Sequence, residues 1–391
     1  EQMPISVRGG GHNIAGSALV DGGLMIDNTP RKGVHVDVRR GVVRIEPGAT
    51  WGDADRETQL HGLAVPGGII SDTGVAGFTL GGGFGYASRK YGLASDNLLS
   101  ADIVTANGTL IRASKNEHPD LFWALRGGGG NFGIVTSFEF RANQLGPEIV
   151  GGMALFPIEM AHKVINLYRD MTGSASDELC CGLVIRLAPP APFLPKELHG
   201  TPVIGLIVCH IGSINDGERA VRPIRNLGGA IVDLIGPKKY TEHKNMLDSG
   251  QPFGRRYYWK SDYFPAIDPG MDEVMLKHIN KMTSPHSALL ALHLGGQTNR
   301  TSETETAAGN RDAEFIVGIQ SQWENETEDE EHISWTREFS GALKPYGTGG
   351  TYVNFLTADT KEDRLREAYS STNYDRLAKI KRKYDPDNMF R

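Results

Sequence analysis

Glycine sets the terms for this chain. It supplies 49 of 391 residues, against roughly 27 at an ordinary usage of about 7 %. The excess is uneven, with 26 glycines in residues 1–135 and 23 in the other 256. Glycine serves where φ must be positive or where backbone must approach a ligand closely. Three clusters stand out: Gly9–Gly11, Gly81–Gly83 with Gly85, and Gly127–Gly130 with Gly133. Successive backbone N–H groups in such runs form concavities that suit a pyrophosphate. The first third therefore reads as a backbone-lined binding site. A loop-rich β-fold with many tight turns would give the same composition, and composition does not choose between the two.

Residues 128–133 fit G-x-G-x-x-G, but that fingerprint needs a strand before it and a helix after it. Here a helix (Asp120 to Leu125) precedes and a strand (Ile134 to Phe140) follows, so a Rossmann site is rejected. No G-x-x-x-x-G-K-[ST] motif occurs. Lys plus Arg is 41 and Asp plus Glu is 47, a net charge of −6. That is a poor balance for nucleic-acid binding, and it gives no steering toward an acidic substrate. Three cysteines (Cys180, Cys181, Cys209) build no disulfide framework and no Cys/His spacing suggests a metal, so none is expected. No apolar run nears the ~20 residues of a membrane span, and a cytoplasmic location is expected. Starting at Glu1, the chain is compatible with a targeting segment upstream. Sequons at Asn107, Asn299 and Asn325 matter only in a secreted protein.

Thr50 with Asp53 predicts a capping box opening a helix to about Leu60. Asn107-Gly108 predicts a hairpin between Ala101–Ala106 and Thr109–Ala113, and Pro119 starts a short helix. Past a boundary at Gln144–Pro147 the elements lengthen. Strands are expected at Leu183–Leu187, Val203–His210, Leu289–Leu294, Phe315–Trp323 and Thr351–Leu356, and helices at His162–Met171, Glu218–Leu227, Glu273–Met282, Ile333–Leu343 and Arg364–Lys383. Gln297 to Asn310 reads as a mobile surface loop. Trp51, Trp123 and Trp335 read as core; His61, His162 and His278 read as surface. The result is an α+β chain, its second part a sheet with helices on one face.

The string Arg8-Gly9-Gly10-Gly11-His12-Asn13, then Pro66-Gly67-Gly68, Gly81-Gly82-Gly83-Phe84-Gly85 and Arg89 to Asn97, resembles the FAD-linked oxidases of the berberine-bridge-enzyme group, in the vanillyl-alcohol-oxidase superfamily. The match continues through Asp120 to Gly127, Asn131 to Thr136, Tyr352-Val353-Asn354-Phe355, Asn373 to Leu377 and Tyr384 to Phe390, in order over nearly the whole chain. At Lys90 to Asn97 the bacterial 6-hydroxy-D-nicotine oxidase branch is close.

The resemblance implies a two-domain PCMH-type FAD-binding fold: an FAD-binding domain over residues 1–145 whose start is missing, a substrate domain of helix-covered antiparallel sheet over 146–350, and a segment over 351–391 that returns to the FAD domain. It implies that Arg8 to Asn13 wrap the FAD pyrophosphate with Gly16, and that His12 bonds the flavin 8α-methyl. Pro66, Gly67, Gly68, Asp72, Thr73, Gly74, Gly77, Leu80, Gly81, Gly82, Gly85, Tyr86, Asp96, Asn97, Gly133 and Val135 complete the implied cofactor contacts. Many relatives add a second link through a cysteine where the resemblance places Ile70 here, so a single histidyl link and no cysteinyl link is expected. Thr73 falls where relatives control oxygen access.

A flavin accepts hydride at N5, and the protein supplies orientation and a proton acceptor. The resemblance implies that the strands equivalent to Thr351–Leu356 and Phe315–Trp323 flank the flavin's substrate side; on strands, alternate residues share a face, so Tyr352 and Asn354 are taken as the catalytic pair, with Tyr352 as base. Gln320 and Gln322, with Tyr258 and Lys260, are the candidate substrate contacts, and Lys260 is a candidate cation for the Tyr352 phenol. The expected reaction is oxidation of a C–OH or C–N bond of a small molecule, with O₂ reoxidising the flavin to give H₂O₂. A dehydrogenase using another acceptor and a cofactor-free binding protein are the alternatives. Oligomeric state is not legible.

Overall fold

Short strands joined by tight turns build the first part of the chain. β1 (Ile5–Arg8) pairs in parallel with β2 (Leu24–Asp27). β3 (Val34–Asp37), β4 (Val42–Ile45), β5 (Leu98–Val104), β6 (Leu110–Ser114) and β7 (Ile134–Arg141) form a sheet in the order β3-β4-β7-β5-β6. The hairpin between β5 and β6 turns at Asn107-Gly108, where Gly108 takes φ +79° and Asn107 Oδ1 accepts from Thr109 N at 3.1 Å. Helix α1 (Trp51–Thr58) is opened by the expected capping box: Thr50 Oγ1 accepts from Asp53 N at 3.2 Å and Asp53 Oδ2 accepts from Thr50 N at 3.0 Å. α2 (Val75–Leu80) and α3 (Pro119–Leu125) are also short.

A computed structural model describes residues 3–390, which divide into two units. One holds the described residues up to Pro147, Gln297–Arg311 and those from Val353 on; the other holds Glu148–Gly296 and Asp312–Tyr352. Each has its own apolar core. That of the first unit gathers Val43, Ile45, Trp51, Leu121, Trp123, Phe138 and Phe140 with Ala307, Leu377 and Ile380 from far along the chain.

The stretch expected to be a mobile loop is instead an integral part of the first unit. Arg311 makes a two-pronged pair with Asp96 (2.8 and 2.7 Å) and also donates to the carbonyls of Ala308 and Thr298 and to Thr306 Oγ1. Thr306 and Ala307 are fully buried, and Ala308 N donates to Arg126 O. The polar composition of the stretch reflects internal hydrogen bonding, which composition alone cannot tell from solvation. The expected helix over Arg364–Lys383 is two helices, Glu362–Tyr369 and Ser371–Tyr384, broken at Ser370 where φ is +63°. The expected strand at Thr351–Leu356 is absent. Val353–Phe355 forms a single 3-10 turn closed by Leu356 N donating to Val353 O, tertiary contact overriding β-propensity.

The second unit is an eight-stranded antiparallel sheet. Its strands are β8 (Glu148–Pro157), β9 (Leu179–Leu187), β10 (Pro202–His210), β11 (Val232–Asp233), β12 (Gly236–Lys239), β13 (Arg256–Phe264), β14 (Ala288–His293) and β15 (Phe315–Trp323), in the order β11-β8-β10-β9-β14-β15-β13, with β12 also on β8. Helices α4 (Ala161–Gly173), α5 (Ile214–Leu227), α6 (Met271–Ile279) and α7 (Asp329–Leu343) cover one face. Alternate residues turn toward them: Leu179, Cys181, Leu183 and Ile185 of β9, and Phe315, Val317 and Ile319 of β15. The residues between these point to the opposite face.

Several histidines are buried in this unit, His278 and His243 among them. His278, expected at the surface, is buried on α6 with its ring stacked 4.6 Å from that of Phe339. His243, on the short helix Tyr240–Lys244, sits where a Cβ on Gly151 would meet its Nδ1 at 2.8 Å. Burial, then the nearby Lys238 and Lys244, push the His243 pKa down to about 3. The unfolded chain binds this proton near pH 6.5. The stabilising difference is therefore complete above pH 6.5 and is lost as pH falls from there toward 3, by up to about 1.4 kcal/mol per pH unit. Urea unfolding at pH 7 and pH 5 should show this loss, and His243→Gln should flatten the slope by about 1–2 kcal/mol. An unchanged slope in the variant would contradict the assignment.

Candidate functional site

The Gly9–Gly11 run crosses the segment around Gly74 in the first unit. The Arg8–Asn13 loop leaves β1, and residues 71–75 are strapped beside it by Trp51 N to Thr73 O (3.0 Å), Gly52 N to Ser71 O (2.7 Å) and Val75 N to Ala49 O (2.9 Å). At the crossing, a Cβ on Gly10 would lie 2.4 Å from Gly74 N, and one on Gly74 would lie 2.4 Å from Gly10 N. Only two glycines permit this contact. It brings His12 beside Asp72, with Nε2 2.9 Å from Oδ1 and both side chains partly open to solvent.

Around this crossing the backbone is accessible. Gly11 has φ +76°, and the nearest atom to its Cβ position is Arg8 Nε at 3.4 Å; Gly16 (φ +75°) and Gly77 have nothing within 4 Å. Asn13 shapes the loop, its Oδ1 accepting from Ser17 N and Oγ. Open glycine backbone under a guanidinium suits a diphosphate, and a partly exposed imidazole stands beside it with a carboxylate 2.9 Å from its Nε2. These residues fit an FAD.

Other expected cofactor residues have packing roles. Cβ positions on Gly67, Gly68, Gly81, Gly85 and Gly133 fall within 3.0 Å of the Trp51 ring, the Phe78 ring, Asn354 Oδ1, Gly67 O and Val104 O respectively. Gly82, at φ +101°, turns the chain, and its carbonyl accepts from Ser95 N. Pro66, Leu80, Tyr86 and Val135 are buried, and Leu80 O accepts from Gly129 N at 2.8 Å. The Asp96 carboxylate is taken up by Arg311 and by Leu93 N, and the Asn97 amide by the carbonyls of Tyr91 and Leu93. Sequence reasoning misses Arg311 because it closes the stretch read as a loop and lies 215 residues from its partner.

The absent strand removes the shared face inferred for Tyr352 and Asn354. Asn354 lies on the 3-10 turn of the first unit and donates to Phe78 O at 3.2 Å. Tyr352 ends the second unit, buried, after Thr351 Oγ1 donates to Ser261 O. Register also separates the four substrate candidates. Gln320 stands opposite Trp259 and Gln322 opposite Tyr257, whereas Tyr258 and Lys260 stand opposite Ser321 and Ile319. Ile319 faces the helices. Tyr258 and Lys260 therefore belong to the helix-covered face, where Arg337 of α7 donates to Tyr258 Oη at 3.0 Å and Lys260 Nζ lies 5.0 Å from the Tyr258 ring centroid. Gln320 and Gln322 belong to the opposite face. Among the described residues no group of His, Cys, Asp and Glu is arranged for a metal, and no helix is long and apolar enough to cross a membrane.

A glycine cradle with one poised histidine, in a chain whose other unit is a helix-backed antiparallel sheet, is the architecture of the PCMH-type flavoproteins. The model of the FAD binding domain matches residues 1–114, and that of berberine and berberine-like proteins matches residues 351–391. (R)-6-hydroxynicotine oxidase of Paenarthrobacter nicotinovorans is 31 % identical over 398 residues, covering 100 % of this chain and 84 % of its own. An FAD-linked oxidoreductase of Dictyostelium discoideum is 29 % identical, covering 100 % and 82 %. The crystal structure of 6-hydroxy-D-nicotine oxidase from Arthrobacter nicotinovorans superposes with a TM-score of 0.86 at 28 % identity, covering 100 % and 85 %. The chain belongs to the berberine-bridge-enzyme-like family of FAD-dependent oxidoreductases.

Proposed function

We propose that this protein is an oxidase that removes hydride from a C–OH or C–N bond of a small organic molecule, with its FAD attached through His12 alone and O₂ as the reoxidant. The observation that carries the reading is the His12–Asp72 contact of 2.9 Å beside the open Gly11 backbone. Bound FAD supplies the hydride acceptor and the 8α carbon for attachment. The Asp72 carboxylate, 2.9 Å from His12 Nε2, would favour a proton on that nitrogen and leave the lone pair on Nδ1 as the nucleophile. Ile70 offers no second nucleophile. The substrate, in this reading, lies on the sheet face of Gln320 and Gln322, the face without helices.

Acid precipitation tests the attachment. Yellow colour and flavin fluorescence should stay in the wild-type pellet and be lost from that of His12→Ala. Asp72→Asn should take up the link at least about tenfold more slowly, as when a carboxylate that fixes a histidine tautomer is removed. Colour released to the supernatant by the wild type would refute the histidyl link. Oxygen uptake with peroxide formation during turnover distinguishes an oxidase from a dehydrogenase that needs another acceptor.

A further inference from the structure

On the helix-free face of the large sheet, Arg186, Ala288, Gln320 and Trp259 form one row across β9, β14, β15 and β13, each opposite the next. Ala288 is small, so the Arg186 and Gln320 side chains stand on either side of a single methyl group. The segment before β13 closes over that row: Gln251 Nε2 lies 3.5 Å from Gln320 Oε1, and Arg186 Nη1 lies 4.0 Å from a Cβ position on Gly250. Next along the face, Arg255 Nη1 lies 3.4 Å from Gln322 Oε1.

The charges here do not balance. Arg186 donates through Nε to Leu187 O at 3.1 Å, and no carboxylate among the described residues is within ion-pair distance of it. Arg255 and His286 share one carboxylate, Glu324, at 3.7 and 3.5 Å, and that carboxylate is mostly exposed. Burial and the neighbouring Arg255 hold the Arg186 pKa below the usual arginine value. His286 is likewise lowered by burial first and then by Arg255, against a raising influence of Glu324. A guanidinium taken out of water without a counter-ion is costly, and a planar carboxylate meets its donor fork in two parallel bonds.

We propose that Arg186 and Arg255, with Gln320 and Gln322, form a subsite for a carboxylate on the substrate. This rests on the reading above that the Gln320 and Gln322 face holds the substrate. The net charge of −6 does not bear on it, because a local cluster decides recognition at contact range.

The test uses the holoenzyme with benzoate and its neutral counterpart benzamide, followed both by calorimetry and by flavin absorbance. Benzoate should bind at least tenfold more tightly than benzamide. Arg186→Gln should weaken benzoate at least tenfold, leave benzamide unchanged, and leave the ligand-free melting temperature equal or higher, since it removes a half-buried charge that has no carboxylate beside it; Arg186→Lys should recover part of the affinity. An arginine with a merely structural role would lower the melting temperature without changing ligand preference. Equal binding of the two ligands, or benzoate binding that survives Arg186→Gln, would overturn the subsite. Heat that depends on Arg186 while the flavin spectrum stays unmoved would keep an anion site but refute this face as the one that holds the substrate.

Discussion

Replacing Arg311 with methionine should destabilise the first unit by about 3–5 kcal/mol, the range for removing one partner of a buried ion pair. The Arg311 side chain is 3 % exposed and that of Asp96 is 11 %. Methionine keeps the bulk but leaves the Asp96 carboxylate without its counter-ion, and leaves the carbonyls of Ala308 and Thr298 without a donor. A second change, Asp96→Leu, removes the stranded charge. The double variant should then be less destabilised than the sum of the singles, by on the order of 1–3 kcal/mol. Urea unfolding of the four proteins measures this. A loss below about 1 kcal/mol for Arg311→Met, or strict additivity, would mean the pair does not hold the 297–311 segment in place.

Gly74→Ala should all but abolish flavin retention. Its Cβ would lie 2.4 Å from Gly10 N and 2.6 Å from Gly10 Cα. Both are backbone atoms, so no side-chain rotation relieves the clash, and the two segments must separate. Overpacking of this kind costs about 1–3 kcal/mol, and the separation also carries His12 away from Asp72. The flavin-to-protein ratio after purification should fall at least about tenfold, corresponding to 1.4 kcal/mol. Gly77→Ala is the comparison. Gly77 lies within α2 with open space at its Cβ position, and alanine there favours the helix by about 0.5–1 kcal/mol. If the cofactor runs over this helix, Gly77→Ala will lose flavin while gaining thermal stability. Full flavin in Gly74→Ala would show that the crossing is not part of the cradle.

Both substitutions show why glycine content was informative yet incomplete. A run of glycines announces that something comes close to the backbone, but not what. At Gly67, Gly68, Gly85 and Gly133 the neighbour is the protein itself. At Gly11, Gly16 and Gly77 the space is open or bordered by Arg8. Both kinds read alike in the sequence, because the requirement on the backbone is the same.

Local signals did settle what depends on neighbours in the chain. The capping box at Thr50, the Asn107-Gly108 hairpin and the Arg8–Asn13 glycine-histidine motif all act over a few residues, where spacing fixes geometry. The α+β class, the family and the candidate histidine follow from such signals without coordinates. Other features emerge only on folding: Gln297–Arg311 is built into the first unit, Tyr352 and Asn354 do not share a strand face, and Tyr258 and Lys260 lie on the face opposite Gln320 and Gln322. Folding also brings Arg186 and Arg255 to one sheet face with so little countercharge. These outcomes depend on strand register and on partners tens to hundreds of residues away, and no local pattern of side chains encodes such a pairing.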